Sequence, residues 1–213
     1  PNYISEVAPS DWERIVELAK SDQVVAIGET GLDHYWDRAP LAAQEDYFRR
    51  HIRLSQETGL PFIVHMRDPK VATDEPPSTA CAEHIWRVLK DCQNDGPFSG
   101  VMHSYTGNAK FAERFLDLGL YISFAGMVTF KKSDALREVA AFVPDERILI
   151  ETDAPYLSPH PNRSKRPNQP AWVVLTAECL AETRGTPLSE FAELTTRNAR
   201  RLFNRLPSNE SCS

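Results

Sequence analysis

Short apolar runs alternate with longer amphipathic segments from one end of the chain to the other. Five of these runs contain little polar alternation, which is typical of strands that are buried on both faces of a parallel sheet. The predicted strands are residues 24–28, 61–65, 100–103, 120–125 and 147–151.

Between the predicted strands, apolar residues recur at the three- and four-residue spacing of an amphipathic helix. The predicted helices are residues 10–19, 41–58, 79–92, 109–118, 133–143, 171–183 and 189–206. The regular alternation of strand and helix predicts an α/β protein with a parallel sheet and right-handed crossovers. An open doubly wound sheet and a closed (β/α) barrel both satisfy this pattern, and both place their chemistry at the carboxyl ends of the strands.

Side chains that commonly bind metals stand at the ends of four predicted strands. They are Glu29, His65, His103 and Asp153. Each residue alone also fits a structural role, such as a turn cap or a buried histidine bonded to a carbonyl group. Because the carboxyl ends of parallel strands meet at one edge, one shared metal site explains the four positions better than four separate structural roles do.

The other histidines do not share that placement. His51 and His84 lie in charged helical segments, so we expect both to face solvent. His34 and His160 follow candidate ligands along the chain, and each is compatible with a position near a substrate or on a loop surface. These four histidines are not included in the predicted ligand set.

Composition and charge narrow the class of protein. With 213 residues, 41% of them hydrophobic, one globular domain with a real core is expected. The formal net charge of -6 argues against a globally basic nucleic-acid coat, although residues 158–205 carry eight basic side chains against four acidic ones. No apolar run is long enough to span a membrane, and the four cysteines show no C-x-x-C spacing, so we expect a cytoplasmic protein without a membrane partner.

Basic and aromatic residues near the predicted strand ends are candidates for substrate binding. Arg67, Arg163 and Lys165 could pair with phosphate groups. Tyr105 and Tyr156 could stack on bases. A solvated basic loop and local packing of the tyrosines explain the same residues, and the sequence leaves both interpretations open.

Five ordered segments resemble the signature blocks of one enzyme family. AIGETGLD, PFIVHMR, MHSYTG and ETDAPYL contain the four candidate ligands, and RNARRLF lies in the last predicted helix. In this order they resemble the TatD-family metal-dependent deoxyribonucleases, and the resemblance covers nearly the whole chain.

This resemblance implies a TIM-like (β/α)8 barrel of the amidohydrolase type with divalent metals at its carboxyl face, and the four candidate ligands match the family's metal-binding Glu, two His and Asp. The family also carries an H-x-H pair at the end of its first strand, and no H-x-H occurs in this sequence. Since five strands cannot close an eight-stranded barrel, we expect the first three strands to be absent from this chain. We therefore expect a single barrel domain at residues 1–206, incomplete at its N-terminal end, and a tail at residues 207–213.

The activity implied by the resemblance is metal-dependent hydrolysis of phosphodiester bonds in DNA, or in RNA, from chain ends. The complete protein would hold two divalent ions per site, Mg or Mn, and the histidine ligands also admit Zn. Asp153 would take the proton and Glu29 would be the ligand that bridges the metals. An amidohydrolase-like enzyme for a small ester, lactone or amide is one alternative, and a degenerate relative without catalysis is another.

Overall fold

The computed structural model describes residues 1–72 and 77–207 of the chain. Of the predicted tail, only Pro207 is among the described residues, and the remainder lies outside them. The single domain predicted for residues 1–206 remains a prediction.

A first compact unit comprises the described residues among 1–100 together with residues 199–207. Its elements are α1 (Asp11–Leu18), β1 (Ile27–Asp33), α2 (Leu41–Thr58), β2 (Phe62–Arg67) and α3 (Ala80–Cys92), with short 3-10 helices at Ile4–Glu6 and Gln93–Asp95. The strands β1 and β2 pair in parallel, and α2 connects them. This arrangement is the predicted strand, helix and strand unit of a parallel sheet.

The apolar stripe of α2 explains why this segment forms a helix that packs on the sheet. Phe48, Ile52 and Leu54 are buried, whereas the charged residues of the helix are half-buried or exposed. The helix ends at Gly59, whose φ of 71° is a left-handed conformation that favours glycine. Burial of the stripe against β1 provides the hydrophobic stabilisation of this helix.

A second compact unit comprises residues 101–198. Apart from the ends of β3 and α7 that extend beyond it, this unit contains β3 (Gly100–Met102), α4 (Ala109–Asp117), β4 (Tyr121–Phe124), α5 (Asp134–Phe142), β5 (Ile148–Ile150), α6 (Val173–Arg184) and α7 (Leu188–Leu202). Short 3-10 helices lie at Gly126–Thr129, Asp145–Arg147 and Pro170–Trp172. The central strand β4 pairs in parallel with both β3 and β5.

A buried amide connects α7 to the start of β5. Asn198 is 3% exposed, and its Nδ2 donates hydrogen bonds to the carbonyl oxygens of Asp145 at 2.6 Å and Ile148 at 2.9 Å. Buried carbonyl groups need such partners. The RNARRLF segment therefore contains a residue with a structural role in the second unit.

The first strand differs from its prediction. Residues 24–28 are predicted as the strand, whereas β1 begins at Ile27 and continues to Asp33. The pairing with β2 shifts register between Ile27 and Thr30 and then continues. The threonine and the following Gly31 look like a turn in the sequence, but the φ of 115° at Gly31 allows the strand to continue.

Two histidines that were expected to face solvent are packed instead. His51 is 7% exposed, its Nδ1 lies 2.7 Å from the carbonyl oxygen of Tyr47, and its ring packs edge-on against Trp12. The Nε2 atom of His84 lies 2.9 Å from a carboxylate oxygen of Glu45. The prediction fails because Trp12 of α1 covers His51, and because the packing of α3 on α2 brings His84 to Glu45.

Among the described residues, no helix combines the length and the apolar character that crossing a bilayer requires. Cys81, Cys92 and Cys179, the cysteines in the described part of the chain, are free thiols.

Candidate metal-binding site

The two strands of the first unit approach each other closely beside His65. Gly31 of β1 lies opposite His65 of β2 in the parallel register. A β-carbon added to Gly31 would lie 2.2 Å from the carbonyl oxygen of His65, and the φ of this glycine is +115°. Both the close approach and the backbone conformation require glycine. The glycine of the ETGLD segment is thus explained by the packing that positions His65.

Both ring nitrogens of His65 face carboxylates. Nδ1 lies 2.7 Å from Oε1 of Glu29, and Nε2 lies 2.9 Å from Oδ2 of Asp33. Burial alone would lower the pKa of His65, but the hydrogen bonds to Asp33 and Glu29 outweigh burial and raise this pKa. Flanking carboxylates of this kind commonly orient metal-binding histidines.

Asp33 is a site residue that the sequence prediction does not include. It is 1% exposed, and its carboxylate accepts hydrogen bonds from Nδ2 of Asn2 at 3.1 Å and from the backbone N–H groups of Tyr35 and Trp36, each at 2.9 Å. Burial would raise the pKa of Asp33, but these bonds and the contact with His65 lower it. Asp33 is therefore buried and charged, and it fixes the positions of His65 and of the backbone at Tyr35 and Trp36.

Glu29 lies inside β1 and not at its end, contrary to the prediction. Its side chain is 47% exposed. Glu29, Gly31 and Asp33 are spaced two residues apart, which places them on one face of an extended strand. When the segment is treated as a strand, the two-residue spacing identifies Asp33 as a further candidate beside Glu29. When the segment is interpreted as a turn, this candidate is missed.

A second group of possible ligands lies beyond the carboxyl ends of two strands in the second unit. His103 directly follows β3, and Glu151 and Asp153 follow β5. One ligand atom from each of the three side chains lies within 4.8 Å of the other two, and all three residues are half-buried. This separation allows one cation to contact an imidazole nitrogen and two carboxylate oxygens.

Glu151 is the second site residue that the prediction does not include as a ligand. Its Oε1 lies 3.2 Å from Nδ1 of His103, and its Oε2 accepts a hydrogen bond from Oγ of Ser123 at 2.5 Å. The serine belongs to the central strand β4. The sequence places Glu151 at the last position of a predicted strand, and only the folded strands bring it to His103.

One ligand candidate and one residue next to another have unusual backbone conformations. Ser104 has a φ of 45°, and Asp153 has a φ of 23°. Positive φ values are energetically costly for residues other than glycine, and they persist only where the surrounding structure imposes them. The chain is therefore held in a strained conformation directly after His103 and at Asp153 itself.

The loop after Asp153 contains three of the predicted substrate-binding residues. The backbone N–H of Tyr156 donates to the carbonyl oxygen of Asp153 at 2.8 Å, and Tyr156 is 65% exposed. The guanidinium group of Arg163 lies 4.2 Å from the centre of the Phe130 ring. Arg163 and Lys165 are both exposed. All three side chains are thus accessible from solvent.

The remaining two predicted substrate-binding residues have different positions. Arg67 is exposed at the end of β2, and its guanidinium carbon lies 4.3 Å from the centre of the Tyr35 ring. Tyr105 is only 2% exposed, its hydroxyl donates to the carbonyl oxygen of Asn108 at 2.7 Å, and its ring packs edge-on against Phe124. The expected stacking of Tyr105 on a base is contradicted by this burial, and Tyr105 is a core residue.

The donor chemistry of both groups fits a divalent metal. Glu29 and His65 lie together in the first unit, and His103 and Asp153 lie together in the second with Glu151. Imidazole nitrogens suit Zn, and carboxylate oxygens suit Mg or Mn. Within each unit, the predicted ligands thus have an additional carboxylate nearby, Asp33 beside His65 and Glu151 beside His103.

The fold has a counterpart among solved structures. The crystal structure of YJJV, a TatD homologue from Escherichia coli K12, superposes with a TM-score of 0.82 at 27% sequence identity, covering 96% of this chain and 73% of that one. Parallel strands alternating with helices and this structural match define an α/β protein with a TIM-like fold, as the sequence predicted.

Sequence comparisons identify the family. The TatD related DNase family matches residues 1–204. The chain is 40% identical over 198 residues to the uncharacterized metal-dependent hydrolase YabD of Bacillus subtilis, covering 93% of this chain and 72% of that protein. It is 34% identical over 207 residues to the 3'-5' ssDNA/RNA exonuclease TatD of Salmonella typhimurium, covering 95% of this chain and 75% of that protein. The chain therefore belongs to the TatD-related DNase family of metal-dependent hydrolases.

Proposed function

We propose that this protein hydrolyses phosphodiester bonds of DNA or RNA from chain ends, using divalent metal ions bound by Glu29, His65, His103 and Asp153. The single observation that carries the proposal is the convergence of His103, Glu151 and Asp153, whose ligand atoms lie within 4.8 Å of one another. The name of the Salmonella relative, a 3'-5' ssDNA/RNA exonuclease, supports the choice of a nucleic-acid substrate.

Asp153 is the residue we propose to accept a proton. A bound divalent metal would polarise a phosphoryl oxygen, lower the pKa of water and stabilise the charge on the leaving oxygen. Hydrolysis forms one bond from the water oxygen to phosphorus and breaks the bond from phosphorus to the leaving oxygen. The Asp153 carboxylate takes the proton that the attacking water loses and afterwards releases it to solvent water, while the leaving oxygen takes up a proton from solvent water as the product departs. Glu29 is proposed as a carboxylate that would hold the metal beside His65.

Neighbouring residues would keep the proposed ligands in fixed orientations. Glu151 lies 3.2 Å from His103, and its other oxygen accepts the hydrogen bond from Ser123. In the first unit, Oδ2 of Asp33 likewise lies 2.9 Å from Nε2 of His65. Carboxylates that contact the second nitrogen of a histidine set its ring orientation and raise its basicity.

Substrate contacts are proposed for the exposed basic and aromatic residues. Arg67, Arg163 and Lys165 carry positive charge that can pair with phosphate oxygens. Tyr156 is exposed and its backbone N–H is hydrogen-bonded to Asp153, so its ring can contact a base next to the scissile bond.

The free thiols among the described residues also agree with the cytoplasmic location that we propose.

The proposal is tested with purified protein, end-labelled single-stranded DNA and Mg or Mn. We expect shortening of the DNA that EDTA abolishes. Asp153→Asn should lower the rate at least about 100-fold, since a positioned proton acceptor contributes roughly 10²- to 10⁴-fold. Asp117→Asn, a change at an exposed carboxylate of α4, is the matched control and should cleave like the parent.

Metal content provides a second readout that does not depend on turnover. His103→Asn should reduce bound manganese, measured by elemental analysis, whereas His160→Asn at an exposed histidine should not. A parent protein that binds no metal and cleaves nothing would instead be a degenerate relative. Turnover of carboxyl esters, lactones or amides without nuclease activity would support the amidohydrolase-like alternative.

A further inference from the structure

Two large aromatic side chains are exposed directly after β1. Tyr35 is 37% exposed and Trp36 is 41% exposed. Their ring centres are 4.8 Å apart and the ring planes meet at 75°. Exposed neighbouring aromatic rings leave apolar area in contact with water, and such a patch commonly marks a binding surface.

Arginine side chains lie against both rings. The guanidinium carbon of Arg67 is 4.3 Å from the centre of the Tyr35 ring and 5.6 Å from that of Trp36. Arg38 is 5.0 Å from the Trp36 ring centre and 5.9 Å from that of Tyr3. Both arginines are exposed. We refer to the group formed by Tyr35, Trp36, Arg38 and Arg67 as the aromatic surface.

The aromatic surface is anchored by a buried charge. Oδ1 of Asp33 accepts hydrogen bonds from the backbone N–H groups of both Tyr35 and Trp36 at 2.9 Å. The backbone N–H of His34 donates to the carbonyl oxygen of Arg67 at 2.8 Å, which joins the segment to β2. A segment held in this way loses little conformational entropy when a ligand binds.

The aromatic surface also lies close to a proposed metal ligand. Arg67 follows His65 by two residues on β2, so both side chains point to the same face of the strand. Two residues along a strand correspond to roughly 6 to 7 Å. Asp33, which holds the aromatic segment, contacts His65 as well. The aromatic surface is thus connected covalently and by hydrogen bonds to the His65 position.

We infer that the aromatic surface binds single-stranded nucleic acid, with bases stacked on Trp36 and Tyr35 and phosphates paired with Arg38 and Arg67. This inference rests on the proposed function and adds a substrate-binding surface to it. Base faces are available for stacking in a single strand, whereas in a duplex they are covered by neighbouring bases. The exposed guanidinium groups of Arg38 and Arg67 can pair directly with phosphate oxygens.

Binding is measured by fluorescence anisotropy with a labelled phosphorothioate oligothymidylate in the presence of Mg. Trp36→Ala should raise Kd about tenfold, because each stacked base contributes on the order of one tenfold step or more. Trp36→Phe retains an aromatic face and should stay within about threefold of the parent. Phe142→Ala removes a ring that is 50% exposed on α5 and is the matched control, with unchanged Kd.

Salt dependence separates the contribution of charge from that of stacking. Arg38→Gln should weaken binding and reduce the slope of log Kd against log salt concentration by about 0.7, the value for one phosphate contact with a single strand. Trp36→Ala should leave that slope unchanged. If Arg38→Gln leaves both Kd and the slope at parental values, the assignment of phosphate contacts is wrong.

Hydrolysis of bis(p-nitrophenyl) phosphate distinguishes failure of this inference from failure of the proposed function. This small phosphodiester carries one phosphate and no nucleic-acid strand beyond it, so Trp36→Ala should hydrolyse it within about twofold of the parent rate while losing kcat/KM on single-stranded DNA. Cleavage of DNA by the parent with unchanged DNA binding in Trp36→Ala would overturn the inference and leave the nuclease intact. Equal loss on both substrates would indicate a structural role for Trp36 and would also overturn it. Oligonucleotide binding that depends on Trp36, without hydrolysis of either substrate by the parent, would overturn only the proposed function.

Discussion

The carboxylate of Asp33 lies 2.9 Å from Nε2 of His65 and is itself buried. The same carboxylate holds the backbone of Trp36 through its other oxygen. One side chain therefore orients a proposed metal ligand and anchors the segment that bears the aromatic surface. A change at Asp33 tests this connection.

Asp33→Asn should weaken metal binding while preserving the fold. The amide oxygen can still accept the backbone N–H groups of Tyr35 and Trp36, but the amide nitrogen cannot accept a hydrogen bond from His65. We expect manganese affinity, measured by titration calorimetry, to fall about 10- to 100-fold, the usual effect of losing an orienting carboxylate. Asp37→Asn, in the exposed segment nearby, is the control and should bind manganese like the parent. Equal affinities of Asp33→Asn and the parent would contradict the orienting role.

Gly31→Ala should be strongly destabilising. The new β-carbon would lie 2.2 Å from the carbonyl oxygen of His65, so β1 and β2 must separate, and the φ of +115° adds backbone strain. We expect the free energy of unfolding to fall by about 3 kcal/mol or more, measured by urea denaturation. Gly59→Ala is the matched control, because Gly59 also has a positive φ but nothing lies within 4 Å of an added β-carbon. Gly59→Ala should lower the free energy of unfolding by only about 1 kcal/mol.

Asn198→Ala should destabilise the second unit. Its amide donates to two carbonyl oxygens at the start of β5, and the substitution leaves both without this donor in a buried position. We expect the free energy of unfolding, measured by denaturant unfolding, to fall by about 3 kcal/mol. Arg197→Ala, at a neighbouring side chain that is 65% exposed, should change stability by less than about 0.5 kcal/mol. Similar stabilities of the two variants would refute the anchoring role of Asn198.

The burial of His51 should make stability depend on pH. Burial lowers the pKa of His51 in the folded protein below the ordinary value of about 6.5, so the unfolded chain binds a proton first as pH falls. The contribution of neutral, buried His51 to the free energy of unfolding is therefore fully present above about pH 6.5. This contribution is lost as the pH falls toward the pKa of His51 in the folded protein. In His51→Gln, the slope of unfolding free energy against pH between about pH 7 and pH 5 should be smaller than in the parent. An unchanged slope would show that His51 contributes no such linkage.

Local sequence features were sufficient for the order of elements and for several ligand candidates. The strands at 61–65, 100–103, 120–125 and 147–151 overlap the observed strands, because short buried runs carry a strong local signal. The first strand was mispredicted, since Thr30 and Gly31 have the local character of a turn. Only the pairing with β2 shows that they continue the strand.

The α/β alternation, the family and the residue types available for metal binding follow from the amino-acid sequence, because periodicity and ligand chemistry are local properties. Which side chains contact one another is visible only in the folded protein. Folding brought Asp33 to His65 and Glu151 to His103, and it buried Tyr105 in the core. These outcomes depend on the approach of strands and helices that are distant in sequence, and the free energy of burial and of hydrogen bonding is settled only when they pack.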